Sequence, residues 1–533
     1  MRGRRKFLVA LLDGVAMFGL SRLNPIHQYF RNLHICQMKF PFLILLSLAT
    51  TGFGRSPAGD FNNAYGSRFQ QQTQQKSSTF QSTAPDVVHR WNRIAIDATG
   101  LDHTPPAPGE NRDFGEQLGP GRSSRAMAIV HIAIFDAMNA TVGRYQSFTG
   151  VTTTRAFSLA AAVSQAAHDT LVSLFPSQTI AFDSALAQDL SRVKSKRGKA
   201  NGVNLGRQIA AAVLASRVGD GSELPEERVG IDYVTSDLPG YWRQDPISLV
   251  PIALGAHWGQ CRPFVIESGS QFRAPPPPAL TSAEYADAYR EAKSLGGDGI
   301  VTPTDRTSEQ TQIGIFWGYD GTPSLCAPPR LYNEITVHIA DQTNLSPLEL
   351  ARLLALVNVA MADTAMTVWE SKFFYNFWRP VTGIRESDPG TGPTGAGDGN
   401  DATIGDPTFT PLGAPASNLT GPNFTPPFPS YPSGHGGFGG AVFQTIRRFY
   451  GTDDIAFTFV SDEFNGVTKD NQGNVRPYIA RSFSNLSQAE EENGQSRIYL
   501  GIHWRFDKTE AIQQGRKVAD YVFDHVFLPV HGQ

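Results

Sequence analysis

The chain is expected to be mainly α, built as two helical-bundle halves with long irregular loops. Three observations lead there. Apolar residues recur at helical spacing through most of the 533 residues, while strand-type alternation is scarce. Loops rich in Gly, Pro and Asp, above all 386–432, interrupt the periodic stretches, and such loops in a helical protein usually shape a site or channel. Finally, Ala128–Ala137 (AIVHIAIFDA) matches Ala355–Thr364 (ALVNVAMADT) in its small and apolar positions and aligns Asp136 with Asp363. Two readings stay open: two related bundles, or two ordinary apolar helices.

Taken in order, residues 1–55 read as leader. MRGRRKFLVALLDGVAMFGL is basic then apolar, but the segment opening at Met38, MKFPFLILLSLATTGFG, is the better secretory signal, so Met38 is a candidate true start. Its apolar run falls short of the ~20 residues that span a bilayer, and no later segment is expected to cross one. Localisation is therefore expected to be secreted or periplasmic. Residues 56–86, Gln/Ser/Thr-rich, read as a disordered linker. An N-terminal helical bundle is expected over 87–330 and a C-terminal catalytic one over 331–533. Candidate helices are 123–140, 156–175, 180–195, 203–217, 282–295, 307–317, 331–342, 346–376, 436–450, 486–502 and 508–527. Ser346, Pro347 and Glu349 give the longest a cap, a first-turn proline and a capping-box partner, and Pro380 marks its latest end.

Composition is that of an ordinary globular protein, with 40% hydrophobic and 18% charged residues. A net charge of −3 argues against nucleic acid or an anionic membrane as partner, so any basic site must be local. Cys36 precedes Met38, which leaves Cys261 and Cys326 either to pair or to remain as free buried thiols. There is no Cys/His cluster for structural zinc. DGNDATIGD from Asp398 is acidic but misses the EF-hand pattern.

The chemistry is concentrated in three segments: KFFYNFWRP (Lys372–Pro380), YPSGH (Tyr431–His435) and SRIYLGIHWRFD (Ser496–Asp507). Arg379 and Arg497 offer planar donor forks for pairs of anion oxygens, and Lys372 adds a compact charge. PPFPSYP cannot be helical, while the residues after Gly436 have helical character. Ser433, Gly434 and His435 are therefore expected at a helix N-terminus, where free amides and the dipole favour an anion. Gly434 lets the backbone approach it closely. His503 and Asp507, four apart, are expected on one helix face, the carboxylate fixing the tautomer and raising the basicity of the imidazole. That makes His503 the candidate for bonding a central atom and His435 the acid–base candidate. GHGGFG at Gly434–Gly439 satisfies a dinucleotide fingerprint in form only, since no strand precedes it; close helix packing is the better account of its glycines. His131, His168, His257, His338, His525 and His531 are expected to be structural or exposed.

These three segments, in this order, resemble the vanadium-dependent haloperoxidases of the type 2 phosphatidic acid phosphatase superfamily. The likeness to the fungal-type chloroperoxidases is close around NFWRPVTGIR, PPFPSYPSGHGGFGGAVFQTIRR and SRIYLGIHWRFD, over roughly 365 to 510. The resemblance implies two four-helix bundles and a vanadate cofactor bonded through His503. Lys372, Arg379, Ser433, Gly434 and Arg497 would hold its oxygens, His435 would accept a peroxide proton and Lys372 would polarise the bound peroxide. It also implies a halide pocket beside Trp369 and Phe428, where several bromoperoxidases carry histidine in place of Phe428; core packing is the bland alternative for both. The expected substrates are hydrogen peroxide, chloride or bromide, and an unspecified organic acceptor, with an oligomer possible. The rival reading is a secreted phosphatase with His503 as nucleophile and His435 as leaving-group acid. The absence of a multi-span membrane region, the chain length and the aromatics at 369 and 428 weigh against it. A third class, an inactive oxyanion-binding homologue, has little support with every polar motif position intact.

Overall fold

The computed structural model describes residues 59–72 and 86–530. The expected leader over 1–55 with Cys36, the stretches 56–58 and 73–85, and His531 lie outside the described residues. The chain runs from α1 (Phe61–Tyr65) and β1 (Gln70–Gln71) into α2 (Val87–Asp102), α3 (Gly119–Asn139), α4 (Leu159–Leu174), α5 (Thr179–Arg192) and α6 (Lys196–Ser216). A long irregular region with β2 (Glu227–Arg228) and β3 (Ile252–Ala253) leads to α7 (Ala283–Gly296), α8 (Ser308–Phe316) and α9 (Pro328–Gln342). Then come α10 (Pro347–Tyr375), α11 (Pro380–Arg385), β4 (Leu419–Thr420), α12 (Gly434–Tyr450), the hairpin of β5 (Phe457–Asn465) and β6 (Tyr478–Phe483), α13 (Leu486–Tyr499) and α14 (Arg505–His525).

Helix α10 shows why the long elements form where they do. Ser346 accepts from the amide of Glu349, whose side chain reaches back to the Ser346 amide, and Pro347 opens the first turn. Asn376, in the left-handed region at φ 50°, ends the helix. Between these signals 22 of 29 residues are buried. Contrary to expectation, α10 is long and apolar enough to cross a membrane, but its apolar stretch is wholly enclosed, as in the core helix of a bundle.

The architecture is two four-helix bundles. Helices α2, α3, α4 and α6 form the first, flanked by α5; α10, α12, α13 and α14 form the second, with α9 alongside. They share one hydrophobic core, because α3 of the first packs along α10 of the second. The glycines of α12 explain how closely it meets α14. A Cβ on Gly440 would stand 2.5 Å from the carbonyl oxygen of Ile512, and one on Gly515 would strike the Gly437 carbonyl.

The Asp136/Asp363 match has structural content. Asp136 on α3 accepts from the amides of Phe148 and Thr149 and from the Ser147 and Thr149 hydroxyls, at 2.6–3.0 Å. Asp363 on α10 accepts from the amides of Phe264, Val265 and Ile266 at 2.7–3.0 Å. Each carboxylate ties a connecting segment to the central helix of its bundle, which favours the related-bundle reading over coincidence.

Several expectations are corrected. The linker proposed over 56–86 is ordered at 59–72: Phe61, Tyr65 and Phe69 pack with Phe114 and Phe424, and β1 pairs with β4. Their spacing of four carries the apolar face that the glutamine-rich composition hides. Helix α2, absent from the expected set, is capped by Asp86 and buries Trp91, Ile94 and Ala98. The β5–β6 hairpin was also unexpected, although β5 alternates buried and less buried positions. Helix α13 ends at Tyr499 rather than 502. Cys261 and Cys326 are both buried and free.

If the two aspartates hold the connections as described, Asp136→Asn and Asp363→Asn should each lower the free energy of urea unfolding by about 2–3 kcal/mol, since several donors lose a charged acceptor. A loss below about 0.5 kcal/mol, the range of a neutral surface change, would contradict the assignment.

Candidate active site

The site begins with a loop poor in amide donors. In Pro426–Pro432 four of seven residues are proline and have no amide hydrogen, so the segment presents carbonyls with few competing donors. Buried cations fill that demand. Lys372, from the last turn of α10, donates to the carbonyls of Pro429 (2.9 Å), Ser430 (2.8 Å) and Pro432. Arg379, at the start of α11, donates to Phe428 O (2.9 Å), Pro426 O (3.3 Å) and Ile502 O (2.8 Å). Both cations stand about 5 Å from the Phe428 ring centroid, 5.1 and 5.0 Å. Burial, and then the neighbouring charge, push the Lys372 ammonium well below its ordinary range and the Arg379 guanidinium down to about 9; the Asp507 carboxylate resists both shifts.

Arg497, on α13, is held from another side. Its Nη2 donates to both carboxylate oxygens of Asp320, at 2.7 and 2.9 Å. Its Nε is buried and has no partner among the described residues. Burial raises the Asp320 carboxyl and Arg497 opposes that. Nothing local in the GYDG sequence points to Asp320.

The two histidines carry different hydrogen-bond instructions. His503 Nδ1 lies 2.7 Å from Asp507 Oδ2, and a carboxylate there requires the proton on Nδ1. Nε2 is thereby the acceptor, and Arg379 Nη1 donates to it at 2.9 Å. His503 is not on one helix face with Asp507, as its spacing suggested. It precedes α14, and Asp507 at the third helical position reaches back, accepting also from the Trp504 amide at 3.0 Å and from the Ser430 hydroxyl. His435 Nε2 lies 2.6 Å from Gly318 O, which places its proton on Nε2 and leaves Nδ1 as the base. Burial lowers both imidazoles well below 6.5, with the arginine charges adding to it, so the basicity expected from Asp507 is overridden at His503. Asp507 itself is raised to about 6, by burial first.

Ser433 is the cap of α12, as expected: its oxygen accepts from the Gly436 amide at 3.3 Å, so its hydroxyl proton stays available. The first amides of α12, on Gly434 and His435, have no helical partner four residues back. Gly434 sits under Trp369, where a Cβ would come within 3.3 Å of the indole. Trp369 and Phe428 pack with ring centroids 4.9 Å apart, and the Trp369 indole donates to Leu254 O at 3.0 Å.

Part of this set faces a cleft open to solvent, lined by Trp369, Phe428, Gly434, His435, Arg497 and His503 together with Asp320 and a largely apolar wall. That wall includes Tyr65 from the segment read as linker; its hydroxyl donates to Gly321 O, next to Asp320. Of the expected residues, Lys372, Arg379 and Ser433 do not line the cleft, and Lys372 is the most fully engaged. A lysine ammonium has three donors, and the three carbonyls use them all. Here it acts as a charge behind the site that ties down the proline loop. His131 is buried beside Asn333, and His168 bridges Asp169 and Asp183, as expected of structural histidines.

A family model described as the VCPO second helical-bundle domain matches residues 352–532. Vanadium chloroperoxidase of Curvularia inaequalis is 32% identical in an alignment 507 positions long that covers 79% of each chain. The chain belongs to the vanadium haloperoxidase family. Among solved structures it is similar in fold to a bacterial vanadium-dependent iodoperoxidase, with a TM-score of 0.64 and 24% identity over 85% of this chain and 100% of the other. It is also similar to a holo-type bacterial vanadium-dependent chloroperoxidase, with a TM-score of 0.53 and 16% identity over 79% of this chain and 94% of that one. The family's second-bundle match starts inside α10.

The donor set fits the vanadate that the family implies. It offers the unprotonated Nε2 of His503, which Arg379 Nη1 donates to, the free Nε of Arg497, the Ser433 hydroxyl and the opening amides of α12, all buried. Lowered folded-state values mean that both imidazoles stay neutral below the pH at which a free histidine protonates. Ring carbon shifts of histidine-labelled apo-protein should show His435 and His503 still neutral at pH 6.5 and protonating only lower. A midpoint at or above 6.5 for either would contradict the assigned environment.

Proposed function

We propose that this protein is a vanadate-dependent haloperoxidase that uses hydrogen peroxide to oxidise chloride or bromide to hypohalous acid. The observation that carries the reading is the single Nε2 lone pair of His503 set among buried cationic donors, with its tautomer fixed by Asp507. Vanadate held there supplies a Lewis acid that activates hydrogen peroxide without needing to change oxidation state. The chain's own residues do the rest. Arg379, Arg497, Ser433 and the Gly434 amide bind and orient the anion. Lys372 sets the local potential from behind the proline loop. His435, neutral with Nδ1 free, takes the peroxide proton. Trp369 and Phe428 form the dry side of the cleft where halide approaches.

The oxyanion cradle also supports placing the chain in the type 2 phosphatidic acid phosphatase superfamily. Export to a secreted or periplasmic location is part of the proposal, supported by the basic–apolar segment at Met38. Nothing in the proposal calls for membrane insertion.

Halide oxidation and phosphate-ester hydrolysis should be assayed on apo-protein with and without vanadate. The expected result is halide oxidation that requires vanadate and is suppressed when excess phosphate competes during loading. His503→Ala should abolish it, and Asp507→Asn should weaken vanadate binding roughly 10- to 100-fold by releasing the imidazole. Ester hydrolysis with no halide oxidation at any vanadate concentration would replace this reading with the phosphatase one.

A further inference from the structure

A second, smaller pocket opens beside the cleft, with Leu118, Gly119, Pro120, Leu254 and Trp369 contributing to both. It has room for about one water-sized ligand. Its far side is built from Arg122, Glu226 and Trp258. Two features of its chemistry stand out. The Nε–H of Arg122 and the Nε1–H of Trp258 are both buried, and neither has a hydrogen-bond partner among the described residues. Each residue is more than nine-tenths buried. Orphaned buried donors are costly and call for an acceptor.

The pocket also lies at the N-terminus of α3, a helix of 21 residues without a side-chain cap. Of its three opening positions, Gly119 gives its amide to His103 Nε2 at 2.9 Å and Pro120 has none, which leaves the amide of Gly121. The positive end of the dipole therefore falls on the pocket together with the two orphaned donors. Gly121 is required for this arrangement, since a Cβ there would stand 2.6 Å from the Trp258 ring. The Glu226 carboxylate is the one opposing charge. It is engaged by Arg122 Nη1 and by the Gly255 amide, so an entering ligand meets a paired carboxylate rather than a bare one.

We propose that Arg122, Trp258 and the first turn of α3 form a binding pocket for a single halide ion, separate from the oxyanion cradle and opening beside Trp369 into the catalytic cleft. Only acceptor chemistry fits a pocket whose unpaired groups are all donors, and its size admits a monatomic anion in preference to an oxyanion. Trp369 shields the pocket without serving it, because its own indole N–H is committed to Leu254 O. The role of the ion as substrate rests on the haloperoxidase reading; its binding does not.

The test uses crystals of vanadate-loaded protein soaked in bromide and measured at the bromine absorption edge, alongside steady-state halide kinetics. Trp258→Phe keeps the ring under Arg122 and removes only the N–H; Arg122→Lys serves as a second variant if the first fails to fold. The expected result is an anomalous peak between Arg122 and Trp258 that is lost in the variant. Halide KM should rise roughly tenfold, as for one lost hydrogen bond to an ion, with kcat within about twofold. Water alone at that position in bromide-soaked wild type would overturn the proposal, as would a halide KM unchanged in a variant that has lost the peak. If loaded protein oxidises no halide, the functional reading falls, and the anomalous peak still decides whether the pocket binds the ion.

Discussion

The structure depends on stabilising several positive charges in the middle of a helical bundle. Lys372, Arg379 and Arg497 are each at most 1% exposed. Three carboxylates, Asp507, Asp320 and more weakly Asp245, stand against them, and both histidines are held neutral. Cations held in a low-dielectric place are expensive unless paired. The proline loop answers part of this with carbonyls that have few amide hydrogens competing for them. The remainder is available to an anion, and the helix α12 directs its positive end to the same spot. Binding chemistry and folding problem are thus two sides of one electrostatic constraint.

The scaffold supplies the rigidity this needs. Lys372 sits in the last turn of α10, whose other turns are packed against α3, α12 and α14. Asp363 on α10 fastens the 264–266 segment, as Asp136 on α3 fastens 147–149. The first bundle contributes no ligand to the cradle, yet it holds α10 in place and gives one wall of the cleft from the start of α3.

Much of the catalytic half was legible in the sequence because its determinants are local. The cap at Ser346, the proline run before Ser433 and the glycines of α12 act within a few residues, and the motif positions converge as expected. What escaped reading was long-range or masked by composition. Asp320 meets Arg497 across 177 positions with no local signal. Phe61, Tyr65 and Phe69 carry an apolar face inside a glutamine-rich stretch, and the packing partner that orders them, Phe424, lies far down the chain. The spacing of His503 and Asp507 gave the right contact for the wrong reason, since four residues also separate a helix entry from its third position. The lysine fooled the motif reading because only the folded loop shows that three carbonyls use its donors.

The central claim is that the folded protein buries a cluster of cationic and neutral donors that an oxyanion completes, and thermal unfolding of the apo-protein tests it most directly. With vanadate at about 100 times its dissociation constant, linkage gives roughly 2.7 kcal/mol of added stability. That is about 2–4 °C or less for a chain of this size. The account predicts a rise in Tm that grows with vanadate concentration, appears with phosphate at higher concentration and disappears in Arg497→Ala. A Tm that neither anion moves, or that moves equally in the variant, would contradict it.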